Sequence, residues 1–141
     1  MTTSHLAHSL NGLRVLVVDD EADTREFITV VLESYGICVQ AVASTTDALA
    51  ALEVFQPDVL VCDLRMPGGG GRDLIRQIRA LEVRQGRHLP ATAITAYQEE
   101  DWEESLKAGF EAHLHKFAQP SEWVETVAQL ARQASSPNQD L

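Results

Sequence analysis

The 141-residue sequence contains only two cysteines and no apolar run near the roughly 20 residues that a bilayer-crossing helix requires. Two cysteines rule out a framework of disulfides, and the missing run rules out a membrane helix. Positive charge is also scarce: 11 Lys and Arg face 21 Asp and Glu, for a formal net charge of −10. A chain this acidic is poorly suited to grip nucleic acid directly or to lie on an anionic membrane, because both need a basic face. The opening MTTSHLAHSLNG lacks the basic and apolar regions of a secretory signal. The expectation is therefore a cytoplasmic chain with reduced thiols.

Hydrophobic residues make up 45% of the chain, enough for one sizeable core. Residues 1–12 read as a flexible leader, 13–134 as one folded domain and 135–141 as a disordered tail. Within the domain, short β-branched runs alternate with helical patterns. Strands are expected at LRVLVVD (13–19), ICVQAVA (37–43), DVLVCD (58–63), PATAIT (90–95) and AHLHK (112–116). Phe27, Ile28, Val31, Leu32 and Tyr35 share a face of the first helix, which should stop at Gly36. Ser44 is placed to cap the second helix, with Asp47 three residues on. Leu74, Ile75, Ile78 and Leu81 mark the third. The fourth is QEEDWEESLKAG, and the last buries Trp123, Val124, Val127, Leu130 and Ala131. Five strands alternating with five helices predict an α/β fold: a doubly wound, five-stranded parallel sheet.

In such sheets, ligands bind beyond the carboxyl ends of the strands. The first strand runs into Asp19, Asp20 and Glu21, the third ends in Asp63, the fourth in Thr95 and Ala96, and the fifth in Lys116. Carboxylates gathered in one crevice repel each other unless a cation joins them, and Mg²⁺ prefers carboxylate, carbonyl and water oxygens. Acids, metal, lysine and hydroxyl together form a site for a tetrahedral anion, above all a phosphoryl group. A carboxylate there can also be the nucleophile and become an acyl phosphate.

The ordered fragments VLVVDDE, VLVCDLRMPGGGG, AITAY and AGFEAHLHK resemble the response-regulator receiver domain of two-component signalling, and the AGFEAHLHK context is similar to receivers attached to hybrid sensor kinases. The resemblance runs from about Leu13 to Ala134. It implies a flavodoxin-like (βα)5 fold with strand order 2-1-3-4-5. It also implies that Asp63 accepts phosphate from the phosphohistidine of a histidine kinase or phosphotransfer domain. Mg²⁺ would be held by Asp20, Asp63 and the backbone carbonyl of Arg65, with Asp19 acting largely through water. Thr95 would bond the phosphoryl oxygens, assisted by the backbone N–H groups of Leu64 and Ala96, and Lys116 would bridge carboxylate and phosphoryl group. The glycines of MPGGGG would form a mobile loop beside the site. A homodimer would use the face of helix four, strand five and helix five, about residues 98–134. The chain would assist its own phosphorylation and dephosphorylation rather than turn over a substrate. Two positions depart from the family: Phe117 follows the lysine where proline is usual, and His113 stands where an aromatic is common.

Other readings compete. A degenerate receiver would bind partners without phosphorylation. An aspartyl-phosphate phosphatase of the haloacid-dehalogenase type would need a second acid where this chain has Arg65. A flavodoxin would need a hydroxyl-rich phosphate loop in place of DDEAD. The glycine run lacks the Gly-Lys-Ser/Thr of a nucleotide loop. Cys38 and Cys62 read as small buried hydrophobes, His113 and His115 as alternating strand residues rather than a metal pair, and the acids around Trp102 as a solvated helix face.

Overall fold

The computed structural model describes residues 10–67, 70–96 and 102–135. The expected leader up to residue 9, the tail from 136, Gly68 and Gly69, and the run 97–101 lie outside the described residues, as does the side chain of Trp102. Five strands, β1 (Arg14–Val18), β2 (Cys38–Val42), β3 (Val59–Asp63), β4 (Ala91–Thr95) and β5 (Ala112–His115), alternate with five helices. The helices are α1 (Ala22–Glu33), α2 (Thr45–Phe55), α3 (Gly70–Gln85), α4 (Trp102–Ala108) and α5 (Pro120–Ser135). All pairings are parallel, in the order β2-β1-β3-β4-β5. The predicted class and strand order are those observed.

The central strands are covered on both faces, which is why β3 and β4 are buried along their whole length, Asp63, Thr92 and Thr95 included. Successive side chains point to opposite faces. Val15 and Val17 face Ile28 and Leu32 of α1 and Trp123, Val124 and Val127 of α5. Leu16 and Val18 face Ala48 and Ala51 of α2 and Leu74, Ile75 and Ile78 of α3. The edge strand β2 is largely open, so Cys38 is exposed rather than buried as expected from its type. Phe27 (42% exposed) and Leu81 also sit outside the core, each at the margin of its helix's apolar stripe. The Ser44 Oγ accepts the Asp47 N–H at 3.1 Å and caps α2 as expected, a device that contributes about 1 kcal/mol.

Below the sheet, at the amino ends of β4 and β5, a polar network closes the turn after α3. Arg79 donates from Nη2 to the Gly109 carbonyl at 2.8 Å and from Nη1 to Glu82 at 2.6 Å and the Leu89 carbonyl at 2.7 Å. Glu82 accepts the Leu89 N–H, and Glu111 accepts the Ala91 N–H. His88 sits between the two carboxylates of Glu82 and Glu111.

The glycine run is not all loop, because Gly70 and Gly71 open α3. Gly70 has φ +72°, and Gly71 donates its N–H to the Leu64 carbonyl at 3.1 Å. A Cβ on Gly71 would lie 2.3 Å from the Asp63 carbonyl oxygen and 3.0 Å from Cys62 Sγ. The first turn of α3 is therefore seated directly on the end of β3. Gly71→Ala should destabilise the domain by about 2 kcal/mol or more, because backbone has to move to admit the methyl group. The measurement is the urea midpoint, and an unchanged midpoint would mean that the Asp63 peptide is not held against α3.

Candidate functional site

The strand order reverses between β1 and β3, and the residues just beyond those two strands face one crevice. Asp19 follows β1 with its side chain fully buried, and Asp63 ends β3 with 3% exposure. Asp20 is exposed beside them. Asp19, Asp20 and Asp63 each offer a carboxylate oxygen, and these atoms lie within 4.8 Å of one another. Asp20, Asp63, Arg65, Thr95, Ala96 and Lys116 line a cleft of about 280 Å³, joined by Glu21 and Phe117. A larger groove of about 960 Å³ runs between α2 and α3, but its His88 and Glu82 are already paired in the basal network. The convergent chemistry is in the smaller cleft.

Backbone hydrogen bonds set the aim of each acid. Asp19 Oδ1 accepts the Glu21 N–H at 2.8 Å, and its backbone carbonyl accepts from Arg25 at 2.7 Å. Asp63 Oδ1 accepts the Arg65 N–H at 3.1 Å. The opposite oxygens face Lys116, whose Nζ is 3.5 Å from Asp63 Oδ2 and 3.7 Å from Asp19 Oδ2. Its closest partner is Glu21 Oε1 at 2.6 Å. The sequence places Glu21 in the acid run without a role, and only the fold reveals it as the anchor of the lysine. The Leu64 N–H, expected to face a phosphoryl group, donates instead to the Ile94 carbonyl at 3.0 Å and extends the β3–β4 ladder. The next residue has the N–H that faces the cleft, that of Arg65. Thr95 is buried at the end of β4, and Ala96 beside it is exposed to the cleft.

The electrostatics follow from this crowding. Burial pushes the Asp63 carboxyl up to about 6, with the Asp19 charge adding to it, while the Arg65 N–H and Lys116 pull the other way. Burial likewise raises Asp19. For Lys116, burial works downward but is outweighed by the Glu21 hydrogen bond and the charges of Asp63 and Asp19, so its ammonium is held more firmly than usual. One lysine against this many carboxylates leaves a deficit of positive charge. Asp19 Oδ2, buried and with no hydrogen-bond partner among the described residues, points at the same deficit. The donor set is all oxygen and carboxylate-rich, which fits a hard divalent cation such as Mg²⁺.

A carboxyl whose value is raised on folding costs stability where it must ionise. The cost from Asp63 is absent below its ordinary value of 3.8, grows as pH climbs towards 6 and is complete above. In metal-free protein, Asp63→Asn should therefore raise stability at pH 8 by about 3 kcal/mol and leave it nearly unchanged at pH 4. Urea midpoints at the two pH values, in the presence of a chelator, check both the sign and the window.

Comparison with known proteins agrees with this geometry. Residues 15–128 match the family model described as the response regulator receiver domain. The chain is 39% identical to an uncharacterized 14.6 kDa protein of Leptolyngbya boryana, over 86% of this chain and 92% of that one. It is 33% identical to the DNA-binding response regulator MtrA of Mycolicibacterium paratuberculosis, over 91% of this chain. The chain spans only 56% of the length of that regulator. The solved receiver domain of the Francisella response regulator 1452 superposes with a TM-score of 0.76 at 28% identity, covering 86% of this chain and 98% of that one. With its fold, strand order and acidic crevice all in agreement, the chain belongs to the response-regulator receiver domain family.

Proposed function

We propose that this chain is the phosphoacceptor of a two-component system, taking a phosphoryl group from a histidine kinase or phosphotransfer domain onto Asp63. The observation that carries the reading is the position of Asp63: a buried carboxylate at a strand end, within 4.8 Å of Asp19 and Asp20 and 3.5 Å from Lys116 Nζ. In the transfer, a carboxylate oxygen of Asp63 attacks phosphorus, the bond from phosphorus to the imidazole nitrogen breaks, and the new oxygen–phosphorus bond makes an acyl phosphate. The departing imidazole takes its proton from solvent. Asp63 attacks as the anion, and at neutral pH it is above the value of about 6 at which burial leaves it.

Asp19, Asp20, Asp63 and the Arg65 carbonyl would hold Mg²⁺, which when bound neutralises the carboxylates and the charge of the transferring group. Lys116 supplies a fixed positive charge beside Asp63 Oδ2. Thr95 and Ala96 line the cleft beside Asp63, and a hydroxyl from the one and an N–H from the other would bond the oxygens of a phosphoryl group on Asp63. The Arg65 N–H takes the part expected of Leu64. Arg65 stands where a phosphatase of this chemistry would have its second acid, which favours a stable acceptor over turnover. The face of α4, β5 and α5 is where a change at Thr95 would be read out and where two copies would meet. With a net charge of −10 the chain itself is not assigned a nucleic-acid contact.

Intact mass after incubation with acetyl phosphate and Mg²⁺ tests this reading. A single phosphate adduct should appear, vanish with EDTA and be absent from Asp63→Asn. An adduct that persists in Asp63→Asn would move the acceptor elsewhere. No adduct from acetyl phosphate or from a phosphorylated histidine donor would favour an interaction module that works without phosphate.

A further inference from the structure

The loop that presents Lys116 is closed by a hydrogen bond that neither the sequence pattern nor the family assignment calls for. Lys116 and Phe117 occupy the two central positions of a tight turn, in which Ala118 donates its N–H to the His115 carbonyl at 3.0 Å. Lys116 is held on its amino side by its own N–H, which donates to the Thr95 carbonyl at 2.7 Å. On its carboxyl side the next N–H belongs to Phe117, a residue 79% exposed at the rim of the cleft. Bonded to a side chain rather than to water, that N–H would set the orientation of the Lys116–Phe117 peptide. Here it is taken: Phe117 N–H donates to His115 Nδ1 at 3.1 Å. A side chain at the first turn position accepting the N–H two residues on is the arrangement Asn and Asp use to fix turns. The His115 and Phe117 rings also lie 5.5 Å apart, tilted by 47°, so the pair braces itself.

We propose that His115 is a positioning residue for Lys116. Its imidazole, with Nδ1 as acceptor, fixes the Lys116–Phe117 peptide, which is trans, and thereby aims the ammonium at the carboxylates. The aim needs fixing because Nζ has three carboxylates in range and lies nearest to Glu21, at 2.6 Å against 3.5 Å for Asp63. A small rotation of the turn would decide which of them the lysine serves. The reading rests on Asp63 being the acceptor, but its structural half does not.

The test compares His115→Leu, which removes the acceptor at similar bulk, with His115→Asn, whose amide oxygen restores it in the geometry of an Asx turn. Two readouts are taken. In NMR spectra of unphosphorylated protein, Phe117 amide exchange with solvent and the Lys116 ammonium signal report the turn directly. His115→Leu should lose protection at Phe117 and shift the lysine signal, and His115→Asn should keep both close to wild type. The rate of adduct formation from acetyl phosphate should fall about tenfold in His115→Leu and recover in His115→Asn. Wild-type behaviour in His115→Leu overturns the proposal, as does equal impairment in both variants, since the acceptor would then not be what matters. If wild type takes up phosphate neither from acetyl phosphate nor from a phosphorylated histidine donor, the assignment of Asp63 fails while the NMR comparison still decides the role of His115. His115 is only partly buried at a strand end, so both variants are expected to fold.

Discussion

Repulsion among carboxylates is the constraint on which the rest of this structure depends. Asp19 and Asp63 are both withdrawn from water, Asp20 stands beside them, and Lys116 reaches in from the end of β5. Left to itself, such a cluster would turn outward or protonate, and the raised values of Asp19 and Asp63 record that tendency. It stays in place because the stretches that lead into it, Val15–Val18 of β1 and Val59–Cys62 of β3, are apolar and buried. The energy of two core layers holds a charge arrangement that would not assemble alone, and that stored preference for positive charge is what makes the cleft receptive.

The scaffold meets this demand with backbone more than with side chains. Amides of Glu21 and Arg65 orient one oxygen of each buried acid and leave the other facing Lys116. The start of α3 is pressed onto the end of β3 so closely that only glycine fits at position 71. On the far side of the cleft the turn after β5 carries the lysine. The basal network of Arg79, Glu82, His88 and Glu111 does the opposite job at the other end of the sheet. There every charge meets an opposite charge or a backbone group, so that end is settled while the upper end is poised.

Much of this was legible in the sequence. Length, alternation and β-branched runs are enough for the fold, because buried parallel strands leave few polar positions to blur the pattern. Asp63 and Lys116 were legible because charges are conspicuous at the end of an apolar run. Glu21 was not, since nothing in local sequence says that a residue in the first loop will meet the lysine 95 positions later. The Leu64 N–H was misplaced for a related reason: whether a ladder continues one residue past a strand depends on its neighbour, here the Ile94 carbonyl. Cys38, Phe27 and Leu81 show the limit of residue type as a guide, because an edge strand and the margin of a helix stripe leave apolar side chains in solvent.

The two cysteines therefore have unlike chemistry. Cys62 is enclosed, its thiol raised by burial and by the neighbouring Asp63 and Asp19 charges, and it donates weakly to the Asp63 carbonyl. Cys38 is open to solvent on β2 and pairs in register with Arg14, at the amino end of the sheet and away from the acidic crevice. Of the two, only Cys38 is accessible to an alkylating reagent. The protein thus carries a natural attachment point, where a fluorophore or spin label can be fixed on a rigid strand without engineering and without touching the residues whose state it would report.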